Sequence, residues 1–83
     1  MKIELKNSSH TPQAIKPLIE YFDSLIELPV FEFQGLTVEL DPTIDCKGND
    51  ALIRWTDIQE GFNGKLIVNS LEEFKKEFKL LHA

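Results

Sequence analysis

Val30-Phe31-Glu32-Phe33-Gln34-Gly35-Leu36-Thr37-Val38-Glu39-Leu40-Asp41 is the stretch that decides the fold. Apolar and polar residues alternate on both sides of Gln34-Gly35, which is the period of a half-buried strand, and a two-residue loop at that point predicts a β-hairpin. The hairpin pairs Phe33 with Leu36 and Phe31 with Val38. Both pairs join Leu40 on one face, while Glu32, Thr37 and Glu39 share the other. A single strand with a glycine bulge at Gly35 accounts for the same parity; the hairpin is the preferred reading.

Upstream, Lys2 to Lys6 alternates charged residues with Ile3 and Leu5, as a strand does, and Asn7-Ser8-Ser9-His10 forms a polar turn. Thr11-Pro12 then supplies a hydroxyl cap and a proline at the first helical position. Ile15, Leu18, Ile19, Phe22, Leu25 and Ile26 make one apolar stripe at helical spacing, so the helix is expected to run to Glu27, where Leu28-Pro29 ends it.

Downstream, Pro42 to Asp50 reads as a polar connection and Ala51 to Trp55 as a short strand, with Ala51, Ile53 and Trp55 facing the helices. Thr56 to Gly64 reads as a long loop, in which Asn63-Gly64 suits a tight turn and Phe62 is a plug tucked beneath. Lys65 to Val68 makes another strand. Ser70-Leu71-Glu72-Glu73 has capping-box spacing, and Leu71, Phe74, Phe78 and Leu81 continue as a helical stripe, with Lys75, Lys76 and Lys79 near its C-terminal end. The expected fold is α+β, in the order β-α-β-β-β-β-α. It is a small two-layer sandwich, with a mostly antiparallel sheet and two amphipathic helices on the face bearing Phe31, Phe33, Leu36, Val38 and Leu40.

In element order alone the helix, three strands and helix resemble a double-stranded-RNA-binding domain. The last helix opens on Leu71-Glu72-Glu73 and not on basic residues, so the phosphate contacts such domains need are missing.

Eighty-three residues suffice for one hydrophobic core, so a single domain over 1–83 is expected. With 42% hydrophobic residues, six of them Phe, the chain can offset the entropy of folding. One cysteine excludes an internal disulfide and fits a reducing, cytoplasmic address. The N-terminus lacks the apolar run of a signal peptide, and no stretch approaches the roughly 20 apolar residues of a membrane span.

The net charge is −5, but residues 20–60 hold ten acids against Lys47 and Arg54, a local −8. Phosphate backbones are bound by clustered Lys and Arg, so this composition argues against direct nucleic-acid binding and for a basic protein surface as partner.

No residue is assigned to catalysis. His10 sits in a turn and His82 at a frayed end, and the adjacency of Ser8, Ser9 and His10 does not orient a nucleophile. Cys46, between Asp45 and Lys47, is expected to be exposed, with its pKa lowered by Lys47. Asp41, Asp45, Asn49 and Asp50 invite a calcium reading. The spacing fails it, since Lys47 takes a ligand position, Asp50 replaces the turn glycine and Thr56 replaces the closing Glu.

These readings point to a non-enzymatic adaptor or inhibitor without cofactor or metal, of an immunity type or mimicking nucleic acid. Its partner-binding residues are expected to be Glu32, Glu39, Asp41, Asp45, Asp50, Arg54, Asp57, Glu60 and Phe62. An assembly subunit is the alternative, forming a homodimer through an edge strand or the open sheet face with Val30, Leu52 and Ile67; a small metal-binding module is the third.

Overall fold

The computed structural model describes residues 1–7 and 10–82. It is α+β, with a seven-stranded, mostly antiparallel sheet and two α-helices. The strands are β1 (Glu4–Lys6), β2 (Val30–Phe33), β3 (Leu36–Leu40), β4 (Thr43–Lys47), β5 (Asp50–Asp57), β6 (Asn63–Val68) and β7 (Phe78–His82). The helices are α1 (Lys16–Ser24), preceded by a 3-10 turn at Gln13–Ile15, and α2 (Leu71–Glu77).

The β2–β3 hairpin forms as the alternation requires, with Phe33 opposite Leu36 and Phe31 opposite Val38. Gln34 and Gly35 both take positive φ, 49° and 82°, as the two-residue turn that matches strand twist demands. From there the sheet grows on both sides. β3 pairs with β5, and β7 adds to the far edge of β2.

β4 continues β3 along the same edge of β5. Between the Leu40–Trp55 and Asp45–Leu52 pairs the register steps by two residues, the insertion being Asp41-Pro42. The Asp41 N–H still reaches the Arg54 carbonyl at 2.8 Å, and the Pro42 carbonyl accepts the Glu4 N–H at 3.0 Å. β1 thereby enters parallel to β4, the one parallel pairing among the described strands.

Four expectations are corrected. The first helix is shorter than the apolar stripe: Pro12 and not Thr11 precedes the 3-10 turn, no side chain caps it, and Pro17 lies in the first turn of α1. Leu25 is already extended yet buried, and Ile26, beyond the helix, is 92% exposed. Within the segment 42–50, Thr43–Lys47 is strand β4, closed by a turn at Gly48-Asn49, because Ile44 and Cys46 alternate into the core. The loop after β5 shrinks to residues 58–62, and Asn63-Gly64 belongs to β6. Finally, α2 stops at Glu77 and Phe78 turns extended (φ −114°, ψ 122°), so the order becomes β-α-β-β-β-β-β-α-β.

Ser70 caps the start of α2 as expected, and the reciprocal bond from Glu73 falls one residue earlier than in a capping box. The Glu73 N–H donates to Ser70 Oγ at 3.1 Å, and the Glu73 carboxylate accepts the Asn69 N–H at 3.0 Å.

One buried cluster joins Ile15, Leu18 and Phe22 of the N-terminal helical segment, Phe74 of α2, and Phe31, Phe33, Val38, Leu40, Ile44, Ala51, Ile53, Val68 and Phe78 of the strands. Phe74 is central, meeting Phe22 edge-on at 5.0 Å and Phe31 edge-on at 5.5 Å, and stacking on Phe78 at 4.8 Å. Trp55 is half-buried against this cluster, 5.2 Å from Phe33. Its ring occupies the space a Cβ on Gly64 would need, which explains a glycine inside β6. Cys46 is buried too. Burial first, then the Asp45 carboxylate, pushes its thiol pKa up, opposite to the expected direction.

Candidate functional site

The turn between β5 and β6 is built around Asp57. Its side chain faces inward and the residue is 2% exposed, so it is not the partner contact expected of it. Its carboxylate accepts the Gln59 N–H at 3.1 Å, its N–H donates to the Phe62 carbonyl at 2.7 Å, and its carbonyl accepts the Gly61 N–H at 2.8 Å. Gly61 closes the turn at φ 78°, a conformation that favours glycine. Ile58 ties the turn to the hairpin by donating its N–H to the Thr37 carbonyl at 2.9 Å.

This clamp fixes where Phe62 goes. Phe62 is not a plug: it stands 65% exposed at the end of the turn, with Ile58 also exposed. Ile58 and Gly61 line a depression of about 430 Å³ together with Glu39, Leu40, Asp41, Pro42, Thr56 and Asp57. Glu60 is exposed on the same turn. An exposed aromatic therefore shares one end of the sheet with Glu39, Asp41 and Glu60.

The other acids do not join them. Asp45 is nearly buried on the face away from the helices, with its Oδ2 2.7 Å from Arg54 Nη2. That hydrogen bond holds the Asp45 carboxyl below the usual carboxylate range and raises the Arg54 guanidinium pKa. Asp45 Oδ1 is buried without a partner among the described residues. Glu32 lies opposite Thr37 on one side and Lys79 on the other, and Asp50 lies opposite Lys47 beside the Gly48-Asn49 turn. The acidic middle of the chain is thus interleaved with cations, and the ligands considered for calcium are spread over a bulge, a strand and a turn. Among the described residues no three of His, Cys, Asp and Glu gather where they could hold a metal ion.

On the face away from the helices, Val30 and Leu52 are half-buried and Ile67 is 54% exposed. The Ser8-Ser9 part of the serine–histidine turn and the His82 side chain lie outside the described residues; His10 is exposed. Among the described residues no helix is long and apolar enough to cross a membrane.

Ile58 and Thr56, which line the depression, were not among the expected contacts. Alternation carried two residues past Arg54 places Thr56 on Arg54's face, a signal hidden by reading Thr56 as loop. Comparison with protein-family models, with curated proteins and with solved structures finds no match for this chain.

Proposed function

We propose that this chain is a cytoplasmic, non-enzymatic, single-domain protein-binding module, an adaptor or inhibitor that docks on a basic protein surface with Phe62 as its anchor. The observation that carries the reading is an aromatic side chain held in solvent by a turn whose own polar groups are clamped around a buried aspartate. Large exposed aromatics dominate binding energies when a partner pocket desolvates them, and a preformed turn avoids the entropy cost of ordering the anchor on binding. Glu39, Asp41 and Glu60 around it would steer a basic partner and reject an acidic one. In this arrangement the helices cover one face of a two-layer fold and the other end of the sheet is left for the partner. An immunity-type inhibitor, or one that occupies a site built for phosphates, is the sharper form of the proposal.

The test is affinity capture from the native extract, comparing wild type with Phe62→Ala and with Glu39→Lys/Glu60→Lys. Loss of an anchor of at least about 2 kcal/mol weakens the specific partner on the order of thirtyfold. Charge reversal should act mainly on the association rate and disappear at about 1 M salt, where charges are screened within about 3 Å. A partner retained equally by all three proteins sinks the proposal.

A further inference from the structure

Among the described strands the sheet ends on β1, β6 and β7. A free edge is a template for another strand unless it is short, kinked or heavily charged. β1 has only three residues, and the β2–β7 pairing shifts register at Val30/Phe31, leaving Leu81 unmatched. β6 instead pairs with β5 over six residues without a break, and its one charged residue is Lys65.

The β5 ladders decide which backbone groups face that edge. On one side of β5 the Arg54 carbonyl accepts the Asp41 N–H at 2.8 Å; on the other the Asp57 N–H donates to the Phe62 carbonyl at 2.7 Å. Hydrogen-bonded pairs alternate along an antiparallel ladder, so Gly64, Leu66 and Val68 turn their N–H and carbonyl groups towards β5, and Lys65 and Ile67 turn theirs away. No backbone group among the described residues pairs with that outer side. Asn69, the next residue in the outward series, is engaged: its N–H is held by the Glu73 carboxylate at 3.0 Å.

This edge is complementary to itself. Antiparallel pairing with β6 of a second copy about a two-fold axis can be centred on Lys65, Leu66 or Ile67. Centred on Lys65, it sets two ammonium groups opposite each other. Centred on Ile67, it needs the Asn69 N–H that Glu73 occupies. Centred on Leu66, it places each Lys65 opposite Ile67 of the second copy and makes about four backbone hydrogen bonds from groups that are free. Leu66, half-buried at the edge, then meets Leu66 of the second copy on the helix face, and the lysine stem covers Ile67, which is 54% exposed. Each ammonium also lies two residues along the ladder from the Asn69 that holds the second copy's Glu73 carboxylate. Positive and negative ends of the edge therefore meet on both sides of the axis.

We propose that the chain forms a two-fold dimer by pairing β6 with β6 in the register centred on Leu66, so that the sheet runs through both copies. A strand pair this short buries less than the roughly 1,200 Å² of a standard interface, so the dimer is weak, with a dissociation constant on the order of 0.1 mM. Phe62 lies outside the paired residues, and the dimer does not rest on partner docking.

Sedimentation equilibrium between about 10 µM and 1 mM tests it, at about 0.15 M salt to screen the repulsion between two acidic chains. Conversion to dimer is expected, with amide exchange at Lys65 and Ile67 slowing as the dimer fills. Ile67→Pro removes an N–H that the fold leaves unused and is expected to abolish the dimer. Lys65→Glu, brought towards Glu73 of the second copy, is expected to weaken it roughly tenfold or more. Amide spectra of dilute samples, unchanged outside β6, show that each variant folds; Lys65→Glu, at an exposed position, carries the test if the proline variant does not. A monomer at the highest concentration, a dimer that protects β1 or β7 amides instead, or one that both folded variants leave intact overturns the proposal.

Discussion

The β2–β3 hairpin and the segment Leu71–His82 both carry clear local patterns, yet only the hairpin keeps its pattern in three dimensions. In the hairpin the period-two alternation and the Gln34-Gly35 turn demand the same register, and the sheet uses that register. In Leu71–His82 the stripe Leu71, Phe74, Phe78, Leu81 asks for one continuous helix, but the chain changes to strand after Glu77. The reason lies in β2, whose outer edge would otherwise present unpaired backbone groups beside Phe31 and Phe33. Phe78 follows Phe74 at i+4, so both stay on the core side of the change, where they stack face to face. Local pattern and tertiary demand agree in one region and compete in the other.

Phe78→Ala breaks the comparison most severely. The ring is 2% exposed and stacks on Phe33 at 4.5 Å as well as on Phe74, so it ties the hairpin to the segment that departed from its local pattern. Truncation is expected to cost about 3–5 kcal/mol, a large share of the roughly 4–12 kcal/mol available to a chain of this size. Urea unfolding followed by Trp55 fluorescence measures it. A cost below about 1 kcal/mol would show that β7 is not anchored through this ring.

What was legible in the sequence follows the same division. Alternation, the hairpin turn and the Ser70 cap are written in neighbouring residues, and each appears where those residues put it. Strand β4 was obscured because its outward residues Thr43, Asp45 and Lys47 look like a loop between Pro42 and Gly48. The partner that makes Asp45 tolerable is Arg54, on another strand. Phe62 shows the same limit at the candidate site: Gly-Phe-Asn-Gly does not say which way the ring points. Burial of Asp57 beneath the turn decides it. Of the residues expected to meet a partner, Glu39, Asp41, Glu60 and Phe62 share one end of the sheet, whereas Asp45 and Arg54 neutralise each other.

A smaller effect sharpens the hairpin side. Gly35 sits at φ 82° with nothing within 4 Å of the place a methyl group would take, so Gly35→Ala meets no clash and its cost is purely conformational. About 1 kcal/mol is expected, with the Phe31–Val38 and Phe33–Leu36 contacts intact by NMR. A shifted register would mean that the turn, and not the alternation, sets the pairing.

The smallest effect reads the register of β7 directly. As a strand, β7 places Lys79 opposite Glu32; a helix running on to Leu81 would have no such cross-strand neighbour. Lys79→Glu puts like charges across the ladder and is expected to cost about 0.2–1 kcal/mol at low salt, fading as ionic strength rises. Glu32→Lys alone should cost a similar amount, while the double swap Glu32→Lys/Lys79→Glu restores most of the loss. Strictly additive losses in the double variant would show that the two side chains do not face each other. Recovery isolates their coupling from any change in helix propensity, because the second substitution lies in β2, outside the segment whose two patterns compete.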